Sequence, residues 1–211
     1  MRTEQLVEVL ARQAGPAPRH AVERRIAVAA GFGAVASAWG AIGALGLNGG
    51  LANMGLGLAT KLAYVVSMLL AAAWFADRVS RPGTPWRRAT WNVLAVVLVM
   101  SVLAAAVWAM APGTERLSLL LGRSWASCPW RVAALSAPAL AAVLWAMRGL
   151  APTQLRVAGF AAGLLAGSLG ALGYALYCPE LSPLFVLVWY TLGILIPAGL
   201  GALLGPWLLR W

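Results

Sequence analysis

Apolar residues gather in six long runs, near 26–46, 58–76, 91–111, 132–148, 156–177 and 184–206, with polar or helix-breaking residues collected between them. A helix needs about 20 mainly apolar residues to cross the roughly 30 Å hydrocarbon core of a bilayer, and each run is of that order. The separators read LNGGLANMG, DRVSRPGTPWRRAT, PGTERLSLLLGRSWASCPWR, RGLAPTQLR and CPELSP. Short connections of this kind join neighbouring helices of one bundle. The pattern therefore predicts an all-α integral membrane protein: a bundle of six transmembrane helices over residues 26–211, preceded by a cytoplasmic N-terminal segment, residues 1–25. That segment mixes acids and bases, and the first run carries no small-residue cleavage site in the expected place. The run is expected to stay in the membrane.

Composition strengthens this picture, since the 211 residues are 62% hydrophobic and 10% charged, with 23 glycines and 11 tryptophans. A soluble domain has a very different balance. The net charge of +10 adds an orientation. With the N-terminus in the cytoplasm, that side holds Arg2, Arg12, Arg19, Arg24, Arg25, Arg78, Arg81, Arg87, Arg88, Arg148, Arg156 and Arg210, and the other side holds Arg116, Arg123 and Arg131. Twelve against three is a strong positive-inside signal. Trp74, Trp86, Trp91, Trp145, Trp207 and Trp211 then fall at inner helix ends, and Trp108, Trp125 and Trp130 near outer ones, as an aromatic belt requires. The basic excess thus speaks for topology and anionic lipid, with no soluble basic face to hold a nucleic acid.

Two cysteines are the whole complement, and this topology puts both outside: Cys128 in SWASCPWR, before the fourth run, and Cys178 in LYCPELSP, after the fifth. The outer compartment of a bacterium is oxidising. One reading is a structural disulfide tying the outer ends of one hairpin, with an upper value on the order of 4 kcal/mol from chain entropy. The other is a reactive or metal-sensing pair. Pro129 suits a first helical position, which would leave Cys128 at the N-cap with Arg131 nearby, a setting that favours a thiolate. Cys178 precedes Pro179 at a helix C-terminus and lacks that support. Cys128 is therefore the expected nucleophile. There is no CxxC and no histidine on this side, so neither a redox-enzyme motif nor a complete zinc site is supported. A two-thiolate metal site with Glu180 as third ligand stays open.

Other chemistry is sparse. Lys61 is the one base inside a span, a functional candidate by position, although it lies near the outer end and is expected to snorkel to the interface. His20 has no ligand-spaced partner. The fifth run, GFAAGLLAGSLGALG, sets Gly159, Gly163 and Gly167 on one face as overlapping GxxxG, and Gly40 and Ala44 do the same in the first; close helix packing accounts for both. Paired intramembrane carboxylates, a phosphate loop and broken-helix symmetry are missing. In the N-terminal segment Thr3 can cap a helix on which Leu6, Val7, Leu10 and Ala14 share a face before GPAP ends it. That short amphipathic helix either lies on the membrane or is offered to a partner.

The TEQLVEVLARQAGP segment, GRSWASCPWRVAALSAPALAAVLWAMRGLAPT around Cys128 and GALGYALYCPELSPLFVLVWYTLGILIPA around Cys178 together resemble the NrsF-type anti-sigma factors, six-helix inner-membrane proteins that restrain an extracytoplasmic-function sigma factor. The resemblance spans nearly the whole chain. It implies that Cys128 and Cys178 are paired sensing cysteines, that heavy-metal or oxidative stress is the signal, with a metal ion acting as signal and no resident cofactor, and that the N-terminal residues Leu6, Val7 and Leu10 help hold the sigma factor. The expected function is a membrane-bound negative regulator of transcription, a binding protein and not an enzyme, in the bacterial inner membrane with both termini cytoplasmic. Small-residue faces are compatible with a homo-oligomer. The alternatives are a small transporter or channel, with Lys61 and the glycine-rich fifth helix lining a path, and a thiol-redox membrane enzyme.

Overall fold

The structure is a computed structural model and describes residues 3–5, 7–8, 20–45, 55–81, 83–150 and 152–210. Among these, every regular element is helical: α1 (Ala21–Leu45), α2 (Leu56–Ser80), α3 (Arg87–Met110), α4 (Arg116–Leu121), α5 (Cys128–Arg148), α6 (Leu155–Ala175) and α7 (Pro183–Leu208). All but α4 are long and apolar enough to cross a membrane. The helices begin earlier than the apolar runs do, α1 at Ala21, α3 at Arg87 and α5 at Cys128. Arginine is a good helix former, so a spanning helix continues past the hydrocarbon edge into its basic flank, where hydropathy is blind to it.

Helix α6 is the hub and packs against α1, α2, α5 and α7. Its central stretch is 72% buried, against 11% for α3, which packs mainly on α2 and the first turns of α7. The glycine face explains how one helix can touch so many. Gly159 and Gly163 lie directly against backbone carbonyls of Gly201 and Pro197 on α7, and Gly201 in turn against that of Gly159. On its other side Gly170 meets Val132 and Ser136 of α5, and Gly173 meets Ser37 of α1, where a β-carbon would come within 2.6 and 2.9 Å. Small residues let backbones approach, and in a bilayer close packing is the main force between helices. The glycine face is filled by α7 and lines no open path.

Helix α7 is irregular in a way its sequence does not announce. After Pro183–Phe185 the backbone widens into a π turn over Val186–Tyr190 before resuming as Thr191–Leu208. Thr191 lies at the junction, its hydroxyl bonded back to the Leu187 carbonyl and 2.6 Å from the Tyr64 hydroxyl of α2. Two tertiary bonds show which helix ends share a face. Arg81 after α2 reaches Glu23 at the start of α1 (2.7 Å), and Lys61 near the start of α2 reaches Cys178 after α6 (2.6 Å). The cysteines therefore sit at the end of the bundle opposite the Arg81–Glu23 cluster.

Candidate functional site

The end of the bundle that holds the thiols is built as a cap. Helix α4 and the turns after it fold back over the start of α7, fixed by Trp189 donating its indole N–H to the Leu120 carbonyl (2.9 Å) and by the Arg123 amide donating to the Glu180 carboxylate (2.7 Å). Gly122 makes this turn possible: its φ of +55° suits glycine, and a β-carbon there would fall within 2.9 Å of Glu180 and Phe185. Trp125 closes the cap against Trp189, ring centroids 5.4 Å apart. Under this lid both thiols are fully buried, and no disulfide joins them.

Cys128 opens α5 as its first helical residue, behind the N-cap Ser127, with Pro129 one position later than expected. The preceding turns cause the shift, since the Cys128 amide already bonds the Ser124 carbonyl (2.9 Å). Arg131 does not serve the thiol: its guanidinium lies over the Tyr177 ring at 5.5 Å. The N-cap position and the Arg131 support that make Cys128 the expected nucleophile are both missing, and its thiol lies in the core. Cys178 follows α6, with Ser124 Oγ 3.9 Å from its sulfur. The Tyr174 hydroxyl lies beside Cys128 and that of Tyr190 beside Cys178, yet both phenols are buried without an aligned hydrogen bond. Two thiols and two under-satisfied phenols, all fully buried, form an unusual polar island in an apolar core.

Lys61 completes the island and overturns the snorkelling expectation. Its side chain is fully buried, and Nζ donates to the Cys178 carbonyl within electrostatic range of both sulfurs and Glu180. Buried on every side, the ammonium takes as its partner the Cys178 carbonyl just beyond the end of α6. The proposed metal triad fares differently. Among the described residues no group of three His, Cys, Asp or Glu side chains is arranged to hold a metal ion, and Glu180 is turned to the Arg123 amide. In the N-terminal segment, Thr3, Glu4, Gln5, Val7 and Glu8 are helical and exposed, while Leu6 and Leu10 lie outside the described residues.

Sequence reasoning missed Tyr174, Tyr190 and the bonding of Lys61. Tyr174 carried a signal, since it stands four residues before Cys178 and so on the same side of the chain. The other two meet the cysteines only through contacts far apart in sequence.

Six spanning helices, one of them a glycine-packed hub, with a buried thiol pair at one end and an arginine-rich opposite end, define a multi-pass membrane protein whose candidate site is a shielded pair of cysteines. The chain belongs to the NrsF family, described as negative regulator of sigma F, which it matches over residues 10–211. It is 44% identical to a probable anti-sigma-F factor NrsF of Azospira oryzae and 40% identical to the anti-sigma-F factor NrsF of Caulobacter vibrioides, each over the full length of both chains. No solved structure matches it.

Proposed function

We propose that this protein is a membrane-embedded anti-sigma factor that holds an extracytoplasmic-function sigma factor at the cytoplasmic face through Leu6, Val7 and Leu10, and releases it when a thiol-reactive signal reaches Cys128 and Cys178 from the periplasm. Kinship with relatives named as anti-sigma-F factors supports the regulatory part. The observation that carries the sensing part is the position of α2. One end bonds the backbone of Cys178 through Lys61, and the other, through Arg81, bonds Glu23 at the start of α1, the helix that follows the N-terminal segment.

Two chemistries fit the thiols. A thiophilic divalent cation can bridge both sulfurs as two protons leave, or an oxidant can accept two electrons and two protons as the sulfurs join. Either event has to rearrange the Ser124 and Tyr174 neighbours of the pair, and packed interiors switch between discrete arrangements instead of deforming smoothly. Helix α2 then carries the change to the Arg81–Glu23 contact.

The test combines a reporter with capture. Affinity-tagged protein solubilised in mild detergent should bring down a sigma factor, and cadmium or an oxidant should release it. The Cys128→Ser/Cys178→Ser double variant should keep its abundance and its sigma factor and lose the release. A double variant of normal abundance that still responds as the parent does would sink the sensing reading; absence of any sigma factor in the capture would sink the regulatory one.

A further inference from the structure

At the end of the bundle opposite the cysteines, a groove of about 1110 Å³ runs between α1 and α5. Its mouth carries Arg24 and Arg25 from α1 and Arg148 from α5, and its walls are apolar: Val28 and Phe32 on one side, Trp145 on the other. From Arg24 to Phe32 the groove follows α1 for eight residues, about 12 Å at 1.5 Å per residue, from the membrane edge towards the hydrocarbon. Arg25 packs on the bare backbone of Gly149, beyond the end of α5, so cations from two helices converge on one spot. Among the described residues none of the three guanidiniums is in an ion pair, and Glu23, next to Arg24 in the chain, is taken by His20 and Arg81 at 2.7 Å each.

We propose that this groove binds one anionic phospholipid of the cytoplasmic leaflet, its phosphate held by Arg24, Arg25 and Arg148 and an acyl chain laid along Val28, Phe32 and Trp145. A cationic mouth over an apolar trough matches the two halves of such a lipid, and basic pockets between spanning helices are suited to anionic headgroups. Phe32 and Trp145 are 62% and 80% exposed, and on a spanning bundle that exposure faces lipid. Lipid reaches such a trough by lateral diffusion, whereas a soluble protein would have to enter the hydrocarbon to cover Phe32. The bound lipid would sit directly beneath His20, where the N-terminal segment joins α1, and so would help set the position of that segment.

The full-length protein, purified in mild detergent, is incubated with equal amounts of palmitoyl-oleoyl phosphatidylglycerol and phosphatidylcholine, and retained lipid is counted by native mass spectrometry. One phosphatidylglycerol should be retained in preference to phosphatidylcholine. Arg24→Gln/Arg148→Gln should weaken its retention on the order of tenfold or more, as loss of two headgroup cations implies. Ala142→Trp, which fills the groove without touching its charge, should do the same. Arg87→Gln/Arg88→Gln, an equal loss of charge outside the groove, should retain lipid as the parent does. No preference for phosphatidylglycerol, equal loss in the Arg87/Arg88 pair, or displacement of the lipid by inorganic phosphate would overturn the proposal. A benzophenone placed at position 32 should cross-link to lipid; cross-linking to the chain's own N-terminal residues or to a co-purified protein would assign the groove to that occupant and overturn it equally.

Discussion

Lys61 shows how much one residue can hold together in a bilayer. An ammonium taken out of water costs several kcal/mol unless it is paired, and here its hydrogen-bond partner is a backbone carbonyl, with thiols and a carboxylate in range. Such a bond to a charged donor contributes about 1.5–3 kcal/mol, while the buried charge costs a comparable amount. Lys61→Met keeps the length and removes both terms, so the variant should insert and accumulate normally. What changes is the tie between α2 and Cys178, and uninduced transcription of the sigma factor's targets should rise; immunoblot and reporter together check this, and parent-level repression at parent-level abundance would contradict it. Burial also sets thiol reactivity. Because Cys128 and Cys178 are equally hidden, a membrane-impermeant maleimide should label both slowly in the native protein and both readily after detergent denaturation. Fast labelling of Cys128 alone would restore the preferred nucleophile that its place beside Pro129 suggests. The sequence showed two cysteines and their shared end of the bundle; it could not show a lid made by α4 and Trp189, because nothing in RLSLLL distinguishes a cap from a loop.

At the scale of the element, α6 and α7 form the tightest pair, and their contact is backbone on backbone. A side chain at Gly159 or Gly163 would drive into a carbonyl that belongs to a helix and cannot rotate away. Gly163→Leu should therefore cost at least the upper end of the roughly 1–3 kcal/mol seen for overpacked cores, and lower both abundance and thermal midpoint in detergent. Gly31→Leu on α1, where a β-carbon meets nothing within 4 Å, should leave both unchanged. Equal effects would mean that the glycine face is not a packing seam. The GxxxG spacing made this seam legible, since i and i+4 fall on one face of any helix. The π turn of Val186–Tyr190 was not legible, for VLVWY holds no glycine or proline and reads as regular helix.

For the whole molecule the main prediction is orientation. The Arg81–Glu23 and Lys61–Cys178 bonds place the basic loop and the cysteines at opposite ends, so reporter fusions at the N-terminus and after Arg210 should both read as cytoplasmic, and fusions within residues 111–127 as periplasmic. A periplasmic signal from either terminus would put the thiols in a reducing compartment and remove the sensing proposal with it. The N-terminal segment is tested at the same scale: Leu6→Ser/Val7→Ser/Leu10→Ser removes apolar surface at roughly 1.5–3 kcal/mol per large side chain, so repression should fail while insertion is normal. A triple variant that still represses would move the holding surface to the cytoplasmic loops, beginning with residues 78–88. By itself the sequence determined six spanning helices, the glycine seam and the grouping of both thiols beyond the fourth and fifth runs, because each follows from a local sum or a fixed spacing along one helix. Tertiary structure alone decided that Lys61 meets Cys178, that Arg25 crosses to Gly149 and that two tyrosines face the sulfurs. The reason is rotational: a spanning helix is apolar on nearly every side, so its hydropathy fixes that it crosses the membrane but leaves open which face it turns to its neighbours, and packing makes that choice.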